Sequence, residues 1–334
     1  MNIEIPYYED NTRISNSNIG WFLNKGPRYL KAMLDGKEEG LKLPQLEKGT
    51  MIHEYILQPD EFWKDYIILD FTIPKVKQQK DFCELYNRTK QTMILDSEEN
   101  RLLFAYNSAY SNKKSDEVKI KEAKEIVDNN QEYLEYLKNK DDKKVISFAD
   151  LNMLKTIKKN LEEHKKANKI LFKYSDTFEV HNEFHINWEY PNASEFGDLS
   201  CKSLLDRVMI DHTNKKIVLV DIKTTADVYN FSHSVEVFDY YRQLAYYWLA
   251  IHWYFKYELD IDLSKEEYTY ETYIIAIQSH DGYEVRVFKM DPVLIEGKLP
   301  LIDYLIKEIA WHKNNNLWEH TKIYYETDGS EDLQ

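Results

Sequence analysis

The chain has 334 residues, 43% of them hydrophobic and 31% charged, a formal net charge of −14 and two cysteines, Cys83 and Cys201. That length holds one large domain or two ordinary ones with a substantial core, and the composition excludes wholesale disorder. Two cysteines exclude a disulfide framework, a four-cysteine zinc site and a four-cysteine iron–sulfur cluster, while the acidic balance speaks against nonspecific coating of nucleic acid but not against a locally basic channel.

No run of about 18 apolar residues occurs, so no membrane span is expected. The opening MNIEIPYYEDNTRIS lacks a basic flank ahead of an apolar stretch, so no secretory signal is expected and a reducing cytoplasm fits. Ser15-Asn16-Ser17-Asn18 offers helix N-caps ahead of IGWFL, and Gly26-Pro27 restarts a second short helix. Gly49-Thr50 precedes the helical stretch MIHEYILQ, which Pro59 closes. YIILDF (66–71) reads as a short strand. From about 75 to 173 the pattern is helical and highly charged, broken by the solvated run KNKDDKK that ends at Lys144. Its last helix, 150–173, starts at a capping box of Ser147 and Asp150 and carries Leu151, Leu154, Ile157 and Leu161 at helical spacing.

The composition then changes. Residues 178–190, 200–211 and 216–223 read as three consecutive strands, with Asn214 in the turn between the second and third. An aromatic-rich helix is expected over 234–256, and strands over 267–278 and 283–289 flank the hairpin signal Ser279-His280-Asp281-Gly282. A closing helix is expected over 291–313. This order gives an α/β arrangement with one helical insertion.

Chemistry concentrates at the strand ends. In a strand, residues i and i+2 share a face, so Asp221 and Lys223 in LVDIKTT point the same way while Ile222 packs behind them. Asp206, in SLLDRVMID, lies on the preceding strand, and neighbouring strands about 4.8 Å apart let two carboxylates share one cation. Asp206, Asp221 and the Ile222 carbonyl would offer oxygens to a hard ion such as Mg²⁺, with Lys223 near the attacking water or a phosphoryl oxygen. The bland alternatives are a surface ion pair for Asp221 and Lys223, and a partnership of Asp206 with Arg207 or a turn. Gln243 and Tyr247 are four apart, hence on one face of their helix.

The set Gly49-Thr-Met-Ile-His53, Asp206-Arg207, Asp221-Ile-Lys223 and Gln243-xxx-Tyr247, in this order, resembles the PD-(D/E)XK nuclease superfamily. It is most similar to the RecE-like (exonuclease VIII) and phage-type exonuclease branch, whose nuclease domains share a helix histidine with RecB. SNSNIGWFLNKGP, the L-x-P-x-x-F after the histidine helix and Asn315-Asn316-Leu317-Trp318 extend the similarity over about residues 15–320, with 75–145 least matched. The one departure is Asp-x-Lys in place of the commoner Glu-x-Lys, which keeps a carboxylate with shorter reach.

The resemblance implies a restriction-endonuclease-like core, a mixed central sheet flanked by helices, with an N-terminal helical region and a helical insertion. It implies one nuclease domain over 1–334: helices to 74 with the His53 helix, the insertion at 75–175, catalytic sheet and helices at 176–320, and an acidic, disordered tail at 321–334. Asp206, Asp221, Lys223, Gln243 and Tyr247 would be catalytic. His53, Glu183, Asp206, Asp221 and Ile222 would be the metal ligands, with Glu189 and Glu195 competing for the place of Glu183. Ser17, Arg207, Thr224, Lys158 and Lys165 would touch DNA, the last two from a lysine stripe that equally fits a solvated helix face. Trp21 and Phe22 are candidates to wedge a duplex end, or simply core.

The implied activity is a Mg²⁺-dependent exonuclease, with Mn²⁺ as a substitute, acting on linear double-stranded DNA from 5′ ends in phage-type recombination or DNA processing. No organic cofactor is called for. Implied partners are DNA ends, a single-strand annealing protein and copies of the chain in a ring, in the cytoplasm of a bacterial or phage-infected cell. The alternatives are an endonuclease or processing nuclease on the same scaffold, or a non-catalytic DNA-binding or assembly module.

Overall fold

Ser15 opens the first helix as the capping pattern requires. Its Oγ accepts the Asn18 N–H at 3.3 Å, and the Asn18 side chain accepts the Ser15 N–H at 2.8 Å. The helix, α1 (Asn16–Leu34), kinks at Gly26, which takes φ 81°, and resumes at Pro27. The computed structural model describes residues 5–38, 44–68, 73–92, 97–139, 143–195 and 197–330. Helix α2 (Pro44–Leu57) begins at Pro44, so Gly49 and Thr50 lie inside it rather than ahead of it. Proline suits a first turn, where its missing N–H has no intrahelical partner.

The chain divides into two compact units: residues 1–59 with 154–334, and residues 60–153. The inserted unit is therefore shorter than the 75–175 read from charge, and it begins earlier. It contains most of α3 (Pro59–Asp65), then β1 (Tyr66–Ile68), α4 (Lys77–Thr92), α5 (Glu98–Ala109), α6 (Asp116–Asn129), α7 (Gln131–Asn139) and β2 (Lys144–Ile146). β1 and β2 pair in parallel. The rest of the expected strand at 69–71, and 140–142 of the solvated run, lie outside the described residues. Beneath the charge is a small core of Phe82, Tyr86, Leu102, Ala105, Tyr106 and Tyr133. Buried tyrosine hydroxyls find carboxylates there, Tyr86 on Glu98 and Tyr106 on Glu122.

Helix α8 (Phe148–Glu163) starts at the expected capping box, with Ser147 Oγ 2.6 Å from Asp150. The single helix expected over 150–173 is broken. His164 leaves helical backbone, and its Nδ1 accepts the N–H groups of Lys166 and Ala167 to open α9 (Lys165–Leu171).

In the larger unit, β3 (Glu179–Ser194), β4 (Gly197–Asp211), β5 (Lys216–Thr225), β6 (Thr269–Gln278) and β7 (Val285–Lys289) form one sheet in chain order. Only β5 and β6 pair in parallel; the other neighbours are antiparallel. A parallel pair needs a long crossover, supplied here by α10 (Phe231–Val237) and α11 (Tyr240–Tyr257). The expected helix over 234–256 divides at Asp239, whose φ of 47° no helix permits. The closing helix likewise comes as α12 (Pro292–Glu296) and α13 (Leu299–Asn315).

All of Ile217–Ile222 is buried, so both faces of β5 are covered. One core cluster joins apolar residues of α1, α11 and α13 to β3, β4 and β5, and α2 lies against β4 and β5. The fold is thus the mixed sheet flanked by helices that the resemblance implies. The tail expected to be disordered carries α14 (Lys322–Glu326), capped by Thr321; residues 331–334 lie outside the described ones. Among the described residues, no helix is long and apolar enough to cross a membrane.

Candidate metal centre

The centre forms where the pleat of the sheet slips. In β4, Leu199, Cys201 and Leu205 join the same core cluster as Val208 and Ile210, so the alternation of faces changes phase between Leu205 and Val208. Directly across, β3 pairs Asn182 with Arg207 and Phe184 with Leu205, and the residue between, Glu183, takes φ 47°. Glu183 and Asp206 thus oppose each other at the irregularity. A left-handed conformation is unusual for glutamate and marks a place where the strand is bent to re-aim a side chain.

Helix α2 supplies the third group. Gly49 passes close to the end of β5, where a Cβ would stand 3.5 Å from Thr224 Oγ1. One turn on, His53 Nδ1 lies 3.6 Å from Asp206 Oδ2 and 4.0 Å from Glu183 Oε1. Ligand atoms of His53, Glu183 and Asp206 all fall within 4.8 Å of one another, and each side chain is half-buried. Among the described residues this is the one group of three or more such side chains close enough to hold a cation.

β5 completes the arrangement. The Ile222 N–H donates to Asp206 Oδ2 at 2.6 Å, tying the two strand ends together. The backbone of Ile222 thus takes part through its N–H. On the same strand, Lys223 Nζ lies 2.7 Å from Asp221 Oδ2. Asp221 is 1% exposed, and beside this ion pair its oxygens find no other polar partner among the described residues. Asp221 stands beside the three-donor group, not in it.

The fields follow from this crowding. Burial, then Asp206, Glu54 and Asp221, push the Glu183 carboxyl up to about 8. Burial likewise holds Asp221 at about 6, with Asp206 adding to the shift and Lys223 and His53 opposing it. Burial works against the Lys223 ammonium, but Asp221 and Asp206 outweigh it and hold its pKa above the ordinary lysine value. Lys223 is therefore a cation at neutral pH, suited to stabilising negative charge and not to taking a proton. The Tyr240 ring lies over it at 5.1 Å. On α11, Gln243 Nε2 donates to Tyr247 Oη at 2.8 Å. Tyr247 is buried, and burial with the nearby Asp221 and Asp206 keeps its hydroxyl protonated.

The other expected site residues lie elsewhere. Arg207 is 3% exposed, donates to Asn182 Oδ1 at 2.8 Å and packs over the Tyr174 ring, so it has no surface to offer a phosphate. Ser17 is exposed beside the cap of α1, and Thr224 is half-buried at the end of β5. Lys158 is half-buried on α8, and Lys165 is exposed on α9, so the lysines do not form one helical stripe. Phe22 is core, meeting His312 edge-on at 5.6 Å, and Trp21 packs against the same cluster. Leu317 and Trp318 of the late motif also act structurally: the Leu317 carbonyl pairs with His312 Nδ1 and the Trp318 ring stacks on His312. Glu189 pairs opposite Ser200 and Glu195 sits in the turn after β3, so neither joins the centre. Glu54, whose charge acts on Glu183, was missed; its adjacency to His53 was the available signal.

No family model matches the chain, and no curated protein sequence does. Among solved structures it is similar to a crystal structure from Eubacterium rectale described as a "putative exonuclease", with a TM-score of 0.49 and 12% identity over 100% of this chain and 97% of that one.

Proposed function

We propose that this centre hydrolyses phosphodiester bonds of DNA with a divalent cation, Mg²⁺ or Mn²⁺. On this reading the chain is a RecE-like nuclease that resects linear double-stranded DNA from its ends, 5′ to 3′, in phage-type recombination or DNA processing. The observation that carries the reading is one convergence: His53, Glu183 and Asp206 within 4.8 Å of each other, joined through the Ile222 N–H to a strand that carries a charged lysine.

The donor set fits a hard or borderline cation. Two carboxylates and one imidazole suit Mg²⁺ or Mn²⁺, and Glu183, held at about 8 by burial and then by its carboxylate neighbours, is relieved when positive charge arrives. When bound, such an ion polarises the phosphate and acidifies a water. The chain does the rest. The Ile222 N–H fixes the orientation of Asp206, and Asp221 holds Lys223 in place. The ammonium lies ready to meet the charge that develops on the phosphoryl oxygens as the water attacks. Gln243 and Tyr247 brace the α11 side without ionising. The chemistry needs neither an organic cofactor nor a covalent intermediate. By analogy with the same branch, the proposal extends to ring assembly and to a single-strand annealing partner.

The test is incubation of the full chain with end-labelled linear duplex and with closed circular duplex, in Mg²⁺, Mn²⁺ or EDTA, beside Lys223→Ala and Asp206→Ala. Metal-dependent loss of linear DNA alone is expected, with a fall of several orders of magnitude in both variants. Equal cutting of closed circles makes the protein an endonuclease. Full activity in EDTA or in either variant moves the chemistry elsewhere.

A further inference from the structure

Lys223 is the inner end of a ladder of aromatic rings that runs out to solvent. The Tyr240 ring covers its ammonium at 5.1 Å. Phe238 stacks on Tyr240, with centroids 5.8 Å apart and planes at 24°, and is itself 61% exposed. Behind them Phe231 stacks on Tyr240 and on Phe288, at 5.9 and 5.1 Å, and anchors the ladder in the core.

The turn that presents Phe238 is held, not loose. Asp239 adopts φ 47°, and its carboxylate is gripped by Lys298 at 2.8 Å and by Arg242 Nε at 3.4 Å. Arg242 is buried and also donates to the Asn16 carbonyl and side chain. A strained residue fixed by two cations thus keeps a large apolar ring in water, against its tendency to bury. A second exposed ring, Tyr8, at 82%, meets Tyr7 edge-on at 5.2 Å. Its neighbour Tyr7 is pinned by Lys202, which donates to the Tyr7 carbonyl at 2.5 Å, and by an edge contact with His185.

The charge balance says what these rings can hold. Carboxylates crowd the centre and repel a backbone phosphate there, whereas base–aromatic stacking adds affinity that is indifferent to charge. A base inside a duplex has both faces covered by its neighbours and cannot stack on a side chain. We propose that Phe238 is a stacking platform for an unpaired base of the strand whose phosphate lies beside Lys223, so that a duplex end is taken only once its terminal bases have frayed, and a single strand binds more tightly than a closed duplex end. This rests on the phosphodiester reading above and names the form of substrate that site accepts.

The experiment uses the full chain and three oligonucleotides: a single strand, the same strand with one abasic position scanned along it, and a blunt duplex. Binding is measured by fluorescence anisotropy in EDTA, and cleavage separately in Mn²⁺. Wild type is expected to bind the single strand more tightly than the duplex. Phe238→Ala loses about five- to a hundredfold in single-strand affinity, the range set by one stacked base. Phe238→Trp restores it, and Val237→Ala, exposed on the same turn, leaves it unchanged. At one abasic position wild type falls to the level of Phe238→Ala, and that variant loses nothing more. Equal affinity of Phe238→Ala and wild type, or an equal loss on every oligonucleotide including the abasic ones, overturns the proposal. Absence of cleavage by wild type overturns the nuclease reading instead, and the binding arm still decides the stacking.

Discussion

Glu183→Gln isolates the electrostatic tension at the centre. In the folded chain the Glu183 carboxyl titrates at about 8, against an ordinary 4.5. Between those values the unfolded chain has released this proton and the folded chain still holds it, so stability falls as pH rises through that window. The difference of about 3.5 units, at 1.36 kcal/mol each, sets a ceiling of about 5 kcal/mol. With the side chain 20% exposed, water relaxes part of the field, and a gain of about 2–3 kcal/mol is expected from the neutral amide above pH 8. Thermal unfolding in EDTA checks this. At pH 4.5 variant and wild type should melt together, and at pH 8.5 the variant should melt about 4–6 °C higher. Mn²⁺ should then stabilise wild type at pH 8.5 and leave Glu183→Gln nearly unmoved, because the amide neither carries the charge nor suffers its repulsion. A wild-type melting point that does not fall relative to the variant from pH 4.5 to 8.5 would refute the reasoning.

Removing the ammonium in Lys223→Met leaves buried Asp221 without its cation. Its folded pKa then climbs beyond about 6, so the loss of stability should be small at pH 5 and reach about 3 kcal/mol at pH 8, read from paired melts. Arg207→Met should keep cleavage and stability within about 1 kcal/mol of wild type, since Nε and Nη2 of Arg207 find no hydrogen-bond partner among the described residues and methionine keeps the packing over Tyr174. A weakened affinity for DNA in that variant would return Arg207 to the substrate surface. Ser15→Ala removes the cap of α1 and should cost about 1 kcal/mol in chemical denaturation, with metal binding unchanged.

Much of this architecture is legible from local rules. The i, i+2 rule puts Asp221 and Lys223 side by side, and they meet at 2.7 Å. Asp206 follows from strand adjacency, and the bond from the Ile222 N–H realises it. What stays hidden are breaks that carry no compositional mark. Asp239 and Glu183 both take positive φ, yet neither is glycine or asparagine, and the apolar periodicity runs on through them. Thus one helix was expected where α10 and α11 divide, and three glutamates competed where the slipped pleat selects Glu183. His164 similarly ends α8 by capping the next helix with its ring, a role that spacing alone does not reveal. Arg207 sat next to Asp206 in sequence, but the phase change puts its side chain among Asn182 and Tyr174 instead.

Anomalous scattering from crystals soaked in Mn²⁺ most directly tests whether His53, Glu183 and Asp206 hold a cation. A single peak bounded by His53 Nδ1, a Glu183 oxygen and an Asp206 oxygen, with Lys223 still paired to Asp221, is the expected result. A metal bound only elsewhere, or none at this centre above pH 8 where Glu183 is ionised, would contradict it.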